Sequence, residues 1–323
     1  MTHMAGPEPM TSIGFDPRSS PSPRRGFRAI WMQHWLLYAM LVPSLVFLAL
    51  FHFYPLWGIS IAFTDYSPTK GIAGSPWVGL DNFVRFFVKS DAGSIIRNTL
   101  VIAIGKIVSV QAASIIFALL LNEVFIRPVK RVVQTLSTLP HFLSWVIVGG
   151  IMLRLLATSG PVNHLIMSVG LKPIRFLGDT SLFPWTLVLS ETWKEFGFGA
   201  IIYLAALANI NPELYEAAAV DGAGRMGRLW FITLPGISSI VILMSCLSLG
   251  NVLNAGFEQV LVLLNPVVYA TGDILDTFVY RSGLQEQQYS LATAVGLLKS
   301  VFGFALILLS YWLADRLADY RVF

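Results

Sequence analysis

Charged residues are scarce in this 323-residue chain. Asp, Glu, Lys and Arg make up 12% of it, about half the share that is usual in soluble domains. Hydrophobic residues make up 55%, and the mean hydropathy is +0.68. A soluble protein of 35.6 kDa needs a large polar surface, which this composition does not supply. Soluble enzymes, nucleic-acid-binding proteins and disordered scaffolds are therefore poor fits, and the composition indicates an integral membrane protein.

The motifs of common catalytic and metal sites are also absent from the sequence. The single cysteine, Cys246, excludes an internal disulfide, and there is no Cys-x-x-Cys, His-Glu-x-x-His or Gly-x-Ser-x-Gly. The only Gly-Lys pair, Gly105-Lys106, lacks the other residues of a phosphate-binding loop, so we expect no ATP site in this chain. The five histidines lie far apart, without the spacing of metal ligands. No catalytic residue, metal or cofactor is predicted.

Six long apolar runs predict six transmembrane helices. Each is long enough to cross a hydrocarbon core ~30 Å thick. Residues 1–30, rich in Pro, Ser, Gly and Thr, predict a disordered cytoplasmic tail before a transmembrane domain that spans 31–323. His52 and Pro55 predict a distortion within the first helix. The predicted spans cover roughly 36–63, 95–121, 136–158, 183–208, 237–260 and 290–313.

The basic residues between these spans predict the orientation of the chain. Lys and Arg number 11 in the segments on the side of the two termini and 6 in the segments on the other side. Because cytoplasmic loops of membrane proteins carry an excess of Lys and Arg, both termini are predicted to lie in the cytoplasm.

The cytoplasmic segment 209–236 predicts a short helix of about ten residues. Asn211 suits the N-cap position, Pro212 the first helical position and Gly222 a C-terminal stop. On physical grounds alone, an ordinary interfacial helix between two spans is favoured. The small side chains of residues 217–219 also suit close docking into a groove of another protein.

The spacing within this segment is more specific than its composition. Residues from Glu216 to Pro235 match every fixed position of the pattern E-A-A-x3-G-x9-I-x-L-P. The match resembles the EAA loop of ATP-binding-cassette (ABC) importer permeases, in which the short helix couples the permease to a separate cytoplasmic ATPase subunit. The resemblance implies a coupling role for eight residues: Glu213, Glu216, Ala217, Ala218, Asp221, Gly222, Leu234 and Pro235.

Other segments resemble one branch of that family, the polysaccharide and oligosaccharide permeases related to maltose permeases. The resemblance implies an all-α membrane protein with the six transmembrane helices of the type I ABC importer permease fold, located in a bacterial inner membrane. It also implies that the substrate is an oligo- or polysaccharide, for which an acidic, alginate-like saccharide is one candidate. The segments that carry it are 61–66, 78–83, 141–145, 159–163 and 203–207.

The resemblance further implies an assembly around this chain. A second homologous permease subunit would form a heterodimer with it, and two cytoplasmic ATPase subunits would bind ATP and Mg. An extracytoplasmic solute-binding protein would deliver the saccharide. The chain itself is then expected to be a transport subunit in the lipid bilayer, with no enzymatic activity.

Charges within the fourth predicted span mark candidate residues of the substrate pathway, because charged groups inside a membrane usually face protein or water. Glu191 and Glu195 lie one turn apart on the same helix face, and Lys194 is three residues from Glu191 and can pair with it. Trp193 could stack on a sugar ring. The alternative interpretation is an ion pair that only fixes helix packing, and both interpretations stay open.

Further polar residues within predicted spans are also pathway candidates. His141 follows Pro140 and has Trp145 one turn on, a placement more typical of a packing residue than of a substrate ligand. Lys106 and Lys299 are expected to snorkel or to pair. The fifth span predicts a polar stripe at helical spacing that faces partner helices or a cavity, made of Asn251, Asn254, Glu258 and Gln259.

Two other classes of protein could use the same charged span. One is an ion-coupled secondary transporter, against which the EAA pattern argues. The other is an intramembrane enzyme with Glu191, Glu195 or His141 as acid or base. It lacks any recognisable nucleophile or metal constellation.

Overall fold

The structure is a computed structural model that describes residues 27–89 and 91–318. The predicted tail lies outside the described residues up to position 26, and helix begins at Phe27. The described chain divides into two units at Trp57 and Gly58. Its α-helices are α1 (Phe27–Leu48), α2 (Gly71–Gly74), α3 (Asp81–Lys89), α4 (Ala92–Asn122), α5 (Arg127–Thr138), α6 (Trp145–Leu155), α7 (Pro161–Ser168), α8 (Phe183–Ala208), α9 (Pro212–Val220), α10 (Arg225–Arg228), α11 (Leu234–Gly250), α12 (Phe257–Leu263), α13 (Tyr269–Gly272), α14 (Leu275–Tyr280) and α15 (Tyr289–Ala318).

Several of these helices continue through segments of altered helical geometry. At its C-terminal end, α1 passes into a π-helical turn and then into a 3-10 helix, which confirms the distortion predicted near His52 and Pro55. A proline ring removes one backbone donor, and this disturbs the regular pattern of hydrogen bonds. The π-helical segments are Ala49–Phe53, Leu229–Thr233 and Arg281–Gln285, and the 3-10 segments are Tyr54–Phe63, Leu139–Phe142 and Pro266–Val268.

Four helical stretches among the described residues are long and apolar enough to cross a membrane. Three agree closely with the predicted first, second and sixth spans. The remaining one corresponds to the fifth span but is shifted toward the N-terminus. The stretches are Trp35–Phe63, Ala92–Asn122, Arg225–Gly250 and Tyr289–Arg316.

The fifth predicted span, 237–260, is therefore wrong at its C-terminal end. The helix begins before the predicted start, at Arg225, and ends at Gly250. The chain then turns before α12, and Gly256 at the end of this turn has a φ of +84°. Most residues with a side chain are disfavoured at such a φ, so glycine suits this position.

The third and fourth predicted spans have other geometries. In place of a straight helix at 136–158, the stretches Arg127–Phe142 and Trp145–Leu155 meet at a bend of 101°. α8 agrees with the predicted fourth span at both ends, but its 26 residues include three charged ones. α8 therefore does not belong to the four apolar stretches, and the count of six spans stays a prediction.

The main packing contact of the second unit joins α4 to α8 through small residues. Gly105 of α4 lies against Val188 of α8, and Gly199 of α8 lies against Ser114 of α4. The Ser114 hydroxyl also donates a hydrogen bond of 3.1 Å to the Phe196 carbonyl oxygen. Small residues let two membrane helices approach closely, and van der Waals contact and hydrogen bonds then hold them together.

α5 turns its polar side toward α8 and its apolar side outward. Its apolar residues follow the i, i+3, i+4, i+7 spacing of one helix face, and all of them are exposed, as expected for contact with lipid or with another subunit. On the opposite side, Ser137 lies against Gly197 of α8. The apolar face consists of Val129, Val132, Val133 and Leu136.

This contact predicts the effect of Gly197→Ala. An added Cβ would collide with the Ser137 carbonyl group, whose backbone cannot move without shifting α5. We expect the variant to lower the free energy of unfolding by about 1–3 kcal/mol, as overpacking commonly does. Titration with denaturing detergent measures this change. The matched control is Gly150→Ala in α6, where nothing lies within 4 Å of the added Cβ. An equal effect of both variants would contradict the packing argument.

Candidate pathway cavity and EAA loop

A cavity of about 500 Å³ lies between α4, α8, α11 and the turn that follows α11. Four of the ten predicted pathway residues line it, and α4 contributes three further polar residues, Lys106, Gln111 and Ser114. Charged side chains that face a cavity between membrane helices commonly mark the pathway of a hydrophilic solute. The main polar residues of its lining are Lys106, Gln111, Glu191, Glu195, Asn251 and Asn254.

Lys106 and Glu191 form an ion pair in the cavity wall. The Lys106 ammonium nitrogen lies 3.3 Å from Glu191 Oε2, and the two side chains are 8% and 18% exposed. The same ammonium group donates a hydrogen bond of 2.7 Å to the carbonyl oxygen of Ala255. A buried charge must be paired and hydrogen-bonded to be tolerated, and Lys106 meets both conditions.

The predicted pairing of Lys194 with Glu191 is therefore wrong. Lys194 pairs instead with Glu195, the next residue of α8. Its ammonium nitrogen lies 2.7 Å from Glu195 Oε1 and also donates a hydrogen bond of 3.0 Å to the carbonyl oxygen of His141. The reason is geometric. Lys106 of α4 occupies the side of Glu191, while Lys194 points toward the bend between α5 and α6.

His141, Lys194 and Glu195 thus form one cluster at this bend, in which Lys194 is buried and the other two side chains are partly buried. The second carboxylate oxygen of Glu195 lies 2.6 Å from Nδ1 of His141. The His141 ring stacks on Phe198 with a centroid distance of 3.8 Å, and the Lys194 ammonium lies 5.6 Å from the ring of Trp145. The cluster ties the bend to α8. Of its three residues, Glu195 also lines the cavity.

The predicted polar stripe of the fifth span does not exist as a helix face. Because α11 ends at Gly250, the four residues of the predicted stripe do not share one helix. Two lie in the turn and two in α12, and their side chains have different surroundings. Asn251 and Asn254 line the cavity. Glu258 is exposed, and Gln259 is fully buried, where its amide nitrogen donates 2.8 Å hydrogen bonds to the Leu187 carbonyl and the Ser190 hydroxyl.

Some of the predicted pathway residues lie outside the cavity. Its lining also includes residues that the sequence analysis did not identify as pathway candidates. Trp193 is half-exposed on α8 and does not line the cavity. Gln111 does, and its amide nitrogen donates hydrogen bonds to the Val241 carbonyl and the Ser245 hydroxyl of α11. A lone glutamine in an apolar run was the signal that could have identified this position.

In the EAA loop, α9 has the capping that the sequence predicts. Asn211 Oδ1 accepts a hydrogen bond of 3.1 Å from the backbone nitrogen of Glu213. At the other end, Gly222 has a φ of +78°, and the nitrogen of Ala223 donates a 2.8 Å hydrogen bond to the carbonyl oxygen of Ala218. This is the Schellman arrangement that ends many helices at a glycine.

The outer surface of α9 is free to meet another protein. Glu216, Ala217 and Asp221 are exposed, and Glu216 has no side-chain hydrogen bond or ion pair with any described residue. α9 is also tied to the start of the next span. The Tyr215 hydroxyl lies 3.1 Å from that of Thr233, next to Leu234 and Pro235 at the start of α11.

Comparison with known proteins identifies the family. Residues 112–319 match the family model described as "Binding-protein-dependent transport system inner membrane component". This chain belongs to that family. It is an integral protein of the inner membrane, and its mostly helical fold is that of the permease components of ABC importers.

Individual relatives of this permease agree with the family assignment. It is 42% identical to the polygalacturonan/rhamnogalacturonan transport system permease protein YteP of Bacillus subtilis, over 90% of this chain and 91% of that protein. It is 43% identical to protein LplB of the same organism, over 93% and 96% of the two chains. Among solved structures, a chain of a bacterial ABC transporter that imports the acidic polysaccharide alginate superposes with a TM-score of 0.81. That chain is 36% identical, and the match covers 89% of this permease and 98% of that chain.

In this permease the cavity and the EAA loop share two helices. α8 ends at Ala208, three residues before the N-cap of α9, and α11 begins at Leu234, one residue after Thr233. Both α8 and α11 contribute to the cavity wall. The EAA loop, which contains α9, therefore connects two helices of the cavity wall.

Proposed function

We propose that this chain is the permease subunit of an ATP-driven importer that takes up an oligo- or polysaccharide delivered by an extracytoplasmic solute-binding protein. The observation that carries the proposal is a cavity with charged and amide side chains in its wall, two of whose helices, α8 and α11, precede and follow the exposed helix α9 along the chain. The names of its relatives support the substrate class, since they include a polygalacturonan permease and an alginate importer. Both of those saccharides are acidic, so we propose an acidic saccharide here.

The proposed assembly contains a second homologous permease subunit and two cytoplasmic ATPase subunits. A solved complex of the alginate transporter with its saccharide-bound periplasmic protein supports the place of the solute-binding protein; one of its chains has a TM-score of 0.82 and 35% identity with this permease. ATP and Mg are bound by the ATPase subunits, and this chain holds no cofactor. Both termini lie in the cytoplasm, on the side of the EAA loop.

The proposed mechanism is a rigid transmission of motion from the ATPase to the cavity. Closure of the ATPase subunits around ATP moves the groove that holds α9. The capped ends of α9 and the Tyr215–Thr233 contact pass this motion into α8 and α11. Because packed helices shift as units, the cavity changes between an inward-open and an outward-open state. Glu216 contributes an ion pair or hydrogen bond to a basic residue of the ATPase.

The pathway itself is proposed to use the polar lining of the cavity. Asn251, Asn254 and Gln111 offer amide groups that bind sugar hydroxyls, and Lys106 with Glu191 offers a paired charge. The His141–Lys194–Glu195 cluster braces the bend between α5 and α6, which is the packing role that the sequence left open. Trp193 lies outside this lining and has no proposed contact with the saccharide.

ATP hydrolysis by the purified complex tests the substrate class. The complex is reconstituted with its solute-binding protein, and a panel of acidic and neutral oligosaccharides is added one at a time. We expect an acidic oligosaccharide to raise the ATPase rate severalfold above the rate with the empty binding protein. Stimulation by neutral members alone would overturn the acidic class, and stimulation by no saccharide would overturn saccharide import altogether.

A further inference from the structure

An exposed apolar face runs along α3, the short helix that precedes α4. Its residues follow the i, i+4, i+7, i+8 spacing that places side chains on one side of a helix. They are between 55% and 74% exposed, and none of them is polar. A contiguous exposed apolar surface usually meets another protein or a membrane. The apolar face consists of Leu80, Val84, Phe87 and Val88.

Contacts with the ends of three apolar stretches fix the level of α3 in the molecule. The Asn82 amide nitrogen donates 3.0 Å hydrogen bonds to the carbonyl oxygens of Ala62 and Thr64, at the end of the first stretch. Only two residues separate Lys89 from α4, so the end of α3 lies within ~11 Å of the start of that helix. Phe86 is 1% exposed and packs in a cluster with residues from the first two turns of α4 and α15.

This level corresponds to the headgroup region of a bilayer. α4 has 31 residues and is therefore ~46 Å long, close to the ~40–45 Å of a bilayer with its headgroups. The first turn of α4, and with it α3, then lies near the membrane surface. Trp77, which precedes α3, is 69% exposed and stacks on Phe63 with a centroid distance of 5.5 Å. Tryptophan is enriched at this depth of membrane proteins.

α3 has three different sides, as a helix at the edge of a bilayer requires. One side is buried against the protein, one is the apolar face, and one is polar and exposed. On the polar side, Arg85 lines a pocket of about 180 Å³ together with Asp65, Gln287 and Gln288. Each side is marked by two residues one helical turn apart: Asn82 and Phe86 on the buried side, Val84 and Val88 on the apolar face, and Asp81 and Arg85 on the polar side.

We propose that α3 is an interfacial helix whose apolar face lies in the lipid of the bilayer and whose polar side faces water. The face offers no hydrogen bond and no charge, so its partner must be apolar throughout, as acyl chains are. A soluble binding protein that docks and departs presents a surface of mixed polarity and fits the face less well. In the proposed orientation of the chain, the lipid belongs to the outer leaflet.

Collision rates of a nitroxide spin label test this placement in the complex reconstituted into lipid vesicles. The buried Cys246 is first replaced by alanine. Val84→Cys and Val88→Cys then place the only label of the complex on the apolar face, and Arg85→Cys is the matched control on the polar side of the same helix. We expect the ratio of collisions with oxygen to collisions with a water-soluble nickel chelate to be on the order of tenfold higher at the two valine positions than at the arginine position.

Three other results would overturn the proposal. Equal ratios at all three positions would place the apolar face in water. Low collision rates with both reagents at the valine positions would show that another subunit covers the face. The rates are measured again after the saccharide-loaded binding protein is added, and we expect no change. A fall in oxygen collisions at the valine positions would assign the face to that protein instead.

Discussion

Replacing Glu216 by lysine is expected to lower ATP-dependent uptake on the order of 100-fold, while the chain still inserts into the membrane and binds its partner permease. Glu216 is exposed on α9 and pairs with no described residue, so its reversal leaves the fold of this chain intact. In the proposed complex the new lysine faces a basic residue of the ATPase. Like charges opposed across an interface cost several kcal/mol, and each 1.4 kcal/mol corresponds to about a tenfold change.

The matched control for this variant is Glu123→Lys. Glu123 follows α4 on the same predicted side of the membrane, is exposed like Glu216, and undergoes the same change of charge. Substrate-stimulated ATPase activity and uptake are measured for both variants in the reconstituted complex. Wild-type stimulation in the Glu216→Lys complex would contradict the coupling role, and an equal loss in the control would assign the effect to surface charge.

Glu195→Ala is expected to destabilise the chain by about 3–5 kcal/mol. The variant removes the acceptor of both His141 and Lys194, and the Lys194 side chain is only 7% exposed. Breaking a buried ion pair by removing one partner leaves an uncompensated buried charge, which accounts for the magnitude. The bend between α5 and α6 would also lose its attachment to α8. The free energy of unfolding in detergent measures the effect.

Two further variants separate the charge effect from lost packing. Adding Lys194→Met to Glu195→Ala removes the uncompensated charge and is expected to recover part of the lost stability. Glu258→Ala removes an exposed carboxylate that pairs with no described residue and is expected to change stability by less than about 0.5 kcal/mol. If Glu195→Ala has as small an effect as Glu258→Ala, the cluster does not brace the bend.

Local features of this permease were predictable from the sequence because their causes lie within a few residues. Asn211 and Gly222 set the ends of α9 through hydrogen bonds that span at most five residues. The ends of α8 were also predicted correctly, since Pro184 and the polar residues after Ala208 bound a long apolar run. The family followed from the spacing between Glu216 and Pro235, which belongs to one continuous segment.

The pairing of charges was not predictable, because it depends on which helices become neighbours. Glu191 had Lys194 within one turn of its own helix, and nothing local pointed to Lys106 of α4, 85 residues earlier. The prediction of a polar stripe in the fifth span was wrong for a different reason. The periodicity of Asn251 to Gln259 assumed an unbroken helix, whereas the backbone ends α11 at Gly250 and turns through Gly256.

Uptake of a labelled acidic oligosaccharide by proteoliposomes tests the central claim most directly. The vesicles contain this permease, its partner permease and two ATPase subunits, with the saccharide-loaded binding protein outside and ATP inside. We predict uptake that falls to background when ATP, the ATPase subunits or the binding protein is left out. Uptake at an unchanged rate without the ATPase subunits would contradict the account and would place this chain among transporters driven by another source of energy.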